Sequence, residues 1–226
     1  MKKTLILIFT IALGVNTFAQ TSLGLKFGLN SNTYWAVGNK SLGEPAADVA
    51  NSTYGNLIGY NAGLAFNTKM GDVGSFQLEL LYSQKGNSAK STKAFNRATY
   101  IDLKPLFNLG GGGDKWRVFA QIGPSINFWL SKADYDPVFG KFIPGSDKFL
   151  SATEDEDGTN NIRVDFGVVL GFGFKYKVGP GWILLNPRYE LDLVPHTIVD
   201  LGGSDQGGYG IMNKGMSITT GYLFEF

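Results

Sequence analysis

The chain has 226 residues, no cysteine and nearly balanced charge (20 basic, 19 acidic). That leaves room for a single β-domain or one to two ordinary domains; it excludes disulfides, thiol catalysis and a lipoprotein anchor on cysteine, and the near-neutral charge gives no reason to propose nucleic acid. Its 31 glycines and 17 phenylalanines favour strands and turns over helices. Mean hydropathy near zero (−0.03) excludes a bundle of membrane helices but not a barrel, whose alternating strands dilute the apolar signal.

The first residues read as an export signal. Lys2 and Lys3 form a basic region, Leu5 to Val15 is apolar but too short to span, and Thr17-Phe18-Ala19 is a small-residue cleavage pattern. The expectation is a signal peptide over residues 1–19 and a mature domain over 20–226, beginning at Gln20. The alternative is a buried N-terminal strand or helix. Loss of Lys2 and Lys3 leaves 18 basic against 19 acidic residues, a mature net charge of −1. No later stretch is apolar over the roughly 18 residues that a membrane helix needs.

The mature chain then alternates. Leu23, Leu25, Phe27 and Leu29 oppose Gly24, Lys26, Gly28 and Asn30 in a first strand, followed by a long polar connection over 31–56. The second strand runs from Leu57 to Thr68 and turns at Met70–Gly74. The third, Ser75 to Lys85, sets Phe76, Leu78, Leu80 and Tyr82 against Gln77, Glu79, Leu81 and Ser83. A moderate loop over 86–96 leads to the fourth, Thr99 to Leu109, where Pro105 predicts a local bulge because it removes a ladder donor. Gly110–Asp114 is a tight turn; it lacks the Lys-Ser/Thr ending and following helix of a phosphate-binding loop.

The fifth strand spans Trp116 to Leu130 and precedes the longest polar connection, 131–161. The sixth, Ile162 to Lys177, alternates most cleanly, with Phe166, Val168, Leu170, Phe172, Phe174 and Tyr176 on one face. After a Gly-Pro turn, Trp182 to Val194 is the seventh, and a loop over 195–213 returns to the last strand. There Met216, Ile218, Thr220, Tyr222, Phe224 and Phe226 share one parity, and the sequence stops on Phe226.

Eight strands of membrane-crossing length, with connections that alternate between longer and shorter, predict an all-β, eight-stranded antiparallel up-and-down transmembrane β-barrel. Tyr82, Trp116, Tyr176, Trp182 and Tyr222 fall near strand ends, as in interfacial girdles. The aromatic C-terminal strand is the usual assembly signal of such barrels. Expected partners are therefore outer-membrane lipids, the barrel-assembly machinery through the strand ending in Phe226, and a surface or envelope protein, with no nucleic acid and no cofactor.

With the strands placed, the sequence resembles the Bacteroidetes outer-membrane β-barrel domain family, often called PorT-like. The resemblance lies in Gly24–Asn30, Tyr100–Leu106, Gly123-Pro124, Asp165–Tyr176, Arg188-Tyr189 and Gly221-Tyr222. Lys104 before Pro105 departs from it, since the family more often has an apolar residue there. The resemblance implies an eight-stranded outer-membrane barrel and carries over no catalytic residue.

The face opposite the apolar one holds Glu79, Asp102, Asp165, Glu190, Asp192 and Glu225 against Lys26, Lys104, Arg117, Arg163, Lys175 and Arg188. Buried charges must be paired, so this balanced set reads as an interior ion-pair network in a lumen just wide enough for side chains to fill. A narrow ion path is the alternative. The acidic run Glu154–Asp157 makes Asp155 and Asp157 weak candidates for a divalent cation, against the plainer reading of a solvated charge run.

His196, the single histidine, would serve a lipid-modifying enzyme with Ser204, Ser217, Asp192 or Asp205, but no spacing selects a partner. Tyr34, Trp35, Tyr54, Trp129, Tyr135, Phe139, Phe142 and Phe149 lie in or beside the long loops, as recognition anchors or as packing that orders the loops. The function expected is a structural or surface-interaction protein that is not an enzyme. The alternatives are an outer-membrane enzyme or narrow channel, and a soluble lipocalin-like barrel with the aromatics inside.

Overall fold

The computed structural model describes residues 20–38, 54–90, 94–136, 141–144, 160–161, 164–194, 197–199 and 209–226. Regular structure among them is all strand. The strands are β1 (Thr21–Gly38), β2 (Tyr54–Met70), β3 (Gly74–Ala89), β4 (Phe95–Gly112) and β5 (Trp116–Asp136), then the short β6 (Lys141–Pro144) and β7 (Asn160–Asn161). Next come β8 (Val164–Val178), β9 (Gly181–Asp192), the short β10 (Thr197–Val199) and β11 (Tyr209–Glu225).

The eight long strands pair antiparallel in the order β1-β2-β3-β4-β5-β8-β9-β11. β11 then pairs with β1 from Ser22↔Glu225 to Gly38↔Tyr209, so the sheet closes on itself and leaves no free edge in the wall. The fold is a closed eight-stranded antiparallel up-and-down β-barrel. Tight turns gather at one end, with Gly71 and Gly179 at positive φ (69° and 57°), where a side chain would be strained. This turn end also holds Gln20 and Phe226, whose amide donates to the Thr21 carbonyl at 3.0 Å. The opposite ends of the strands, from which the long connections leave, form the loop end.

The period-2 pattern decides which side is out. On β8, Phe172 is 68% exposed while Val169 is fully buried, and Phe166, Leu170, Phe174 and Tyr176 share the outward parity. Leu23, Leu25, Phe27 and Leu29 of β1 and Met216, Ile218, Tyr222 and Phe224 of β11 continue the apolar belt. Such a belt far exceeds the few hundred Å² of apolar patch that a soluble monomer tolerates, and it matches the lipid-facing band of a membrane barrel. The soluble lipocalin-like alternative is thereby corrected: the large aromatics face out and the charges face in.

Two sequence expectations change. The strands run further toward the loop end than hydropathy indicated. β1 continues through Ser31–Gly38, where the clean apolar alternation gives way to a mixture of polar, small and aromatic residues, by pairing with Tyr209–Met216. Above the hydrocarbon region the ladder needs no apolar outer face. Pro105 makes no bulge either. The β4–β5 register is the same on both sides of it, and the ladder is simply interrupted between Leu103↔Ile126 and Phe107↔Ile122. In that gap Pro105 faces Pro124, so two residues lacking N–H groups meet without shifting the strands. The actual irregularity lies nearer the loop end, between Thr99↔Ser131 and Tyr100↔Trp129.

Candidate functional site

The lumen is the chemically distinctive region, and its polar groups stack in layers. Nearest the turn end is a ring of amides. Gln121 donates to Asn108 at 2.6 Å, Asn67 donates to Gln77 at 3.3 Å, and Asn67 and Asn108 both donate to Ser75. Beside it the Phe119 ring lies against Gly173, where even a methyl group would come within 2.3 Å of ring carbon Cζ. Lys175 sits 5.1 Å from the centre of that ring.

The next layer is centred on Glu79, which is fully buried. Arg188 grips its carboxylate with two N–H groups, at 2.7 and 3.0 Å. Lys26 and Gln77 donate to the same carboxylate, and Arg188 also donates to Asn186. Lys26, Glu79 and Arg188 come from β1, β3 and β9, so one carboxylate ties three walls of the barrel together.

Toward the loop end, Lys85 and Lys104 face Glu190 and Asp102. Lys104 lies 2.6 Å from Glu190 and 3.0 Å from Asp102; Lys85 lies 2.7 and 3.6 Å from the same two acids. Ser83 donates to Asp102 at 2.8 Å. Beyond them lie Asp165 and Asp192 with Ser125 and Asn127, all buried, under Ala98, Tyr100 and Trp129.

The structure groups the twelve sequence-derived charges differently from a single network. Lys26, Glu79 and Arg188 form one cluster, and Asp102, Lys104 and Glu190 belong to a second. Asp165 and Asp192 stand beyond both. Arg117 and Lys175 line the turn-end mouth. Glu225 belongs to the rim: it pairs with Lys177 at 2.7 Å and accepts from Trp182 at 3.3 Å. Trp182 thus turns to the mouth instead of the outer girdle. Arg163 lies outside the described residues.

Lys85 is the participant that sequence reading left out. It shares the parity of Gln77, Glu79 and Ser83, and that parity was the available signal. Cavities lining the lumen are small, about 70 Å³ at the turn-end mouth and about 10 Å³ among Asn30, Lys85 and Arg188.

The catalytic alternative loses its geometry where it is described. Ser217 lies opposite Arg188, two layers away from Asp192, and Ser217 and Asp192 both belong to the lumen instead of the membrane edge. His196, Ser204 and Asp205 lie outside the described residues, as do Asp155 and Asp157. Among the described residues no group of three or more His, Asp or Glu side chains is placed to hold a metal. At the loop end, Tyr34 packs edge-on against Tyr54 at 5.6 Å and donates to Asn96 at 2.9 Å, while Lys214 lies over Trp35. These aromatics pack at the base of the loops.

Residues 18–195 match a family described as outer membrane protein beta-barrel domain. No curated protein matches the chain. Among solved structures it is similar to Ail, the attachment invasion locus protein of Yersinia pestis, crystallised with the heparin analogue sucrose octasulfate. The identity is 11%, the match covers 91% of this chain and 99% of that one, and the TM-score is 0.42. It is also similar to Neisserial surface protein A (13% identity, 88% and 97% covered, TM-score 0.36) and to the outer membrane protease OmpT of Escherichia coli (12%, 94% and 100%, 0.31). The family match spans most of the sequence and agrees with the closed barrel and its apolar belt: the chain belongs to the outer membrane protein beta-barrel domain family.

Proposed function

We propose that this protein is a small integral outer-membrane barrel with a filled interior, whose long loops serve a structural or surface-interaction role and which is not an enzyme. The observation that carries this reading is the paired interior, above all Glu79 held by Lys26 and Arg188 across three strands. A side-chain network that crosses the lumen braces the wall, and it leaves small cavities where a pore would need a water path. In planar bilayers the purified protein is expected to give no steady conductance. Steady large-conductance openings would replace this reading with a channel.

The proposal extends to the route and the relatives. Residues 1–19 act as a cleaved signal peptide and 20–226 as the barrel domain. The resemblance over Gly24–Asn30, Tyr100–Leu106 and Asp165–Tyr176 supports a place in the PorT-like branch of Bacteroidetes barrels. β11 offers Phe226, with its side chain exposed beside Phe224, to the assembly machinery. Removing Phe226 is expected to lower the amount of protein in the outer-membrane fraction while leaving the barrel able to refold in detergent. Unchanged outer-membrane levels would show that assembly reads another signal.

A further inference from the structure

The loop-end half of the lumen carries a local excess of acids over bases. Among the described residues, its acids are Asp102, Glu190, Asp165 and Asp192, and its bases are Lys85 and Lys104. Four negative charges against two positive leave an excess of −2. Both lysines are already engaged by Glu190 and Asp102. Asp192 is the foremost like-charged neighbour of Asp165. Burying such charges without compensation costs several kcal/mol or more.

The oxygens there are also short of partners. No described residue makes a well-formed hydrogen bond to either carboxylate oxygen of Asp165 or to Oδ2 of Asp192, although the Tyr100 hydroxyl approaches Asp165 and the Asn213 amide approaches Asp192. Ser125 Oγ and Asn127 Oδ1, both on fully buried side chains, are unpartnered too. These groups are neighbours by register: Asn127 lies opposite Asp165, Ser125 opposite Gly167, and Gly167 opposite Asp192. Asn127 donates to Asp192 Oδ1 at 3.2 Å. Gly167 leaves space between two of them, Asp192 and Ser125. A methyl group placed there would lie 2.7 Å from Asp192 Oδ1 and 2.8 Å from Ser125 Oγ.

We propose that Asp165 and Asp192, with Ser125 and Asn127, form a lumenal binding site for one hard divalent cation of the calcium class. All the donors are oxygen, the mixture of carboxylate, amide and hydroxyl suits such an ion, and one double charge cancels the excess of −2. Carboxylates alone do not make the site, since no three of them converge among the described residues; the neutral oxygens complete it. The ion is a structural element of the barrel, distinct from any ion held by the acidic run at Glu154–Asp157.

The test uses the full mature barrel refolded in detergent. Terbium(III) serves as the probe, excited through Trp129 and Tyr100, which roof the site. Wild type is expected to bind one terbium ion per barrel, to release it to excess calcium, and to unfold at a higher temperature in calcium than in chelator. D165N/D192N is expected to fold, shown by the faster-running unboiled band, and to lose both effects. Ser125→Ala keeps both charges and is expected to bind terbium several-fold more weakly, so the proposal stays testable if the double variant does not fold.

Terbium binding that survives D165N/D192N, or that is lost in D155N/D157N instead, overturns the site. No terbium signal in wild type overturns it as well. The sequence also puts Arg163 at the same parity as Asp165, so R163Q belongs in the set. An ion bound by R163Q and not by wild type would show that the chain supplies its own counter-charge.

Discussion

Two carboxylate layers in one lumen solve the same problem in opposite ways. Glu79 is fully buried and meets an arginine, a lysine and an amide from separate strands. Asp165 is equally buried, and neither a cation nor a well-formed hydrogen bond from the described residues holds its oxygens. Burial by itself therefore says nothing about whether a charge stabilises this barrel; the donors arranged around it do. The Glu79 layer is complete within the chain and braces β1, β3 and β9. The Asp165–Asp192 layer is completed, on our proposal, from outside the chain.

The contrast is broken most sharply at Glu79. Glu79→Gln leaves Lys26 and Arg188 buried beside each other without their counter-charge. The expected loss is about 3–5 kcal/mol, read as a lower urea midpoint for the refolded barrel. Replacing Lys26, Glu79 and Arg188 together by apolar residues of similar volume is expected to be neutral or to stabilise by about 1–4 kcal/mol, because the desolvation cost goes with the charges. A wild-type midpoint for Glu79→Gln would mean that the layer does not brace the wall. Asp165→Asn should move stability in the opposite direction when chelator is present, since it removes a charge that lacks a partner.

A smaller effect is expected from packing. Gly173→Ala places a methyl group against the Phe119 ring and displaces the surface over which Lys175 lies. Overpacking of this kind costs about 1–3 kcal/mol, read in the same urea titration. If Gly173→Ala is silent, the ring has room to tilt and the turn-end plug is looser than the Glu79 layer.

These layers were only partly legible in the sequence. The barrel itself was, because β8 repeats its apolar parity from Val164 to Tyr176, while the exposure of Phe172 and its neighbours in the fold decided that this face points outward. Parity also put Glu79, Asp102, Asp165 and Arg188 inside. It left open which acid meets which base, because that depends on the registers of strands far apart in the chain: Lys26 and Glu79 are 53 positions apart, and Arg188 lies 109 beyond Glu79. Lys85 was missed because Gly86, Asn87 and Ser88 end the apolar alternation while the ladder continues to pair them with β4. Pro105 was misread because its effect depends on what lies across from it, and Pro124 is adjacent only in the folded register.

The rim gives the smallest expected effect and calibrates the others. Lys177 and Glu225 form an ion pair at 2.7 Å, as close as pairs in the lumen, but their side chains are 39% and 16% exposed. Water screens the pair and already solvates the ammonium, so Lys177→Ala is expected to cost no more than about 1 kcal/mol and to cost less in high salt. Glu225→Ala should cost more than Lys177→Ala, since Glu225 also accepts from the Trp182 indole and Lys177 lies over that same ring. Equal distance with unequal cost would show that the Glu79 layer owes its weight to enclosure and partner number. If Lys177→Ala instead matched Glu79→Gln, the lumen would be as wet as the rim, and the filled-interior reading would fail with it.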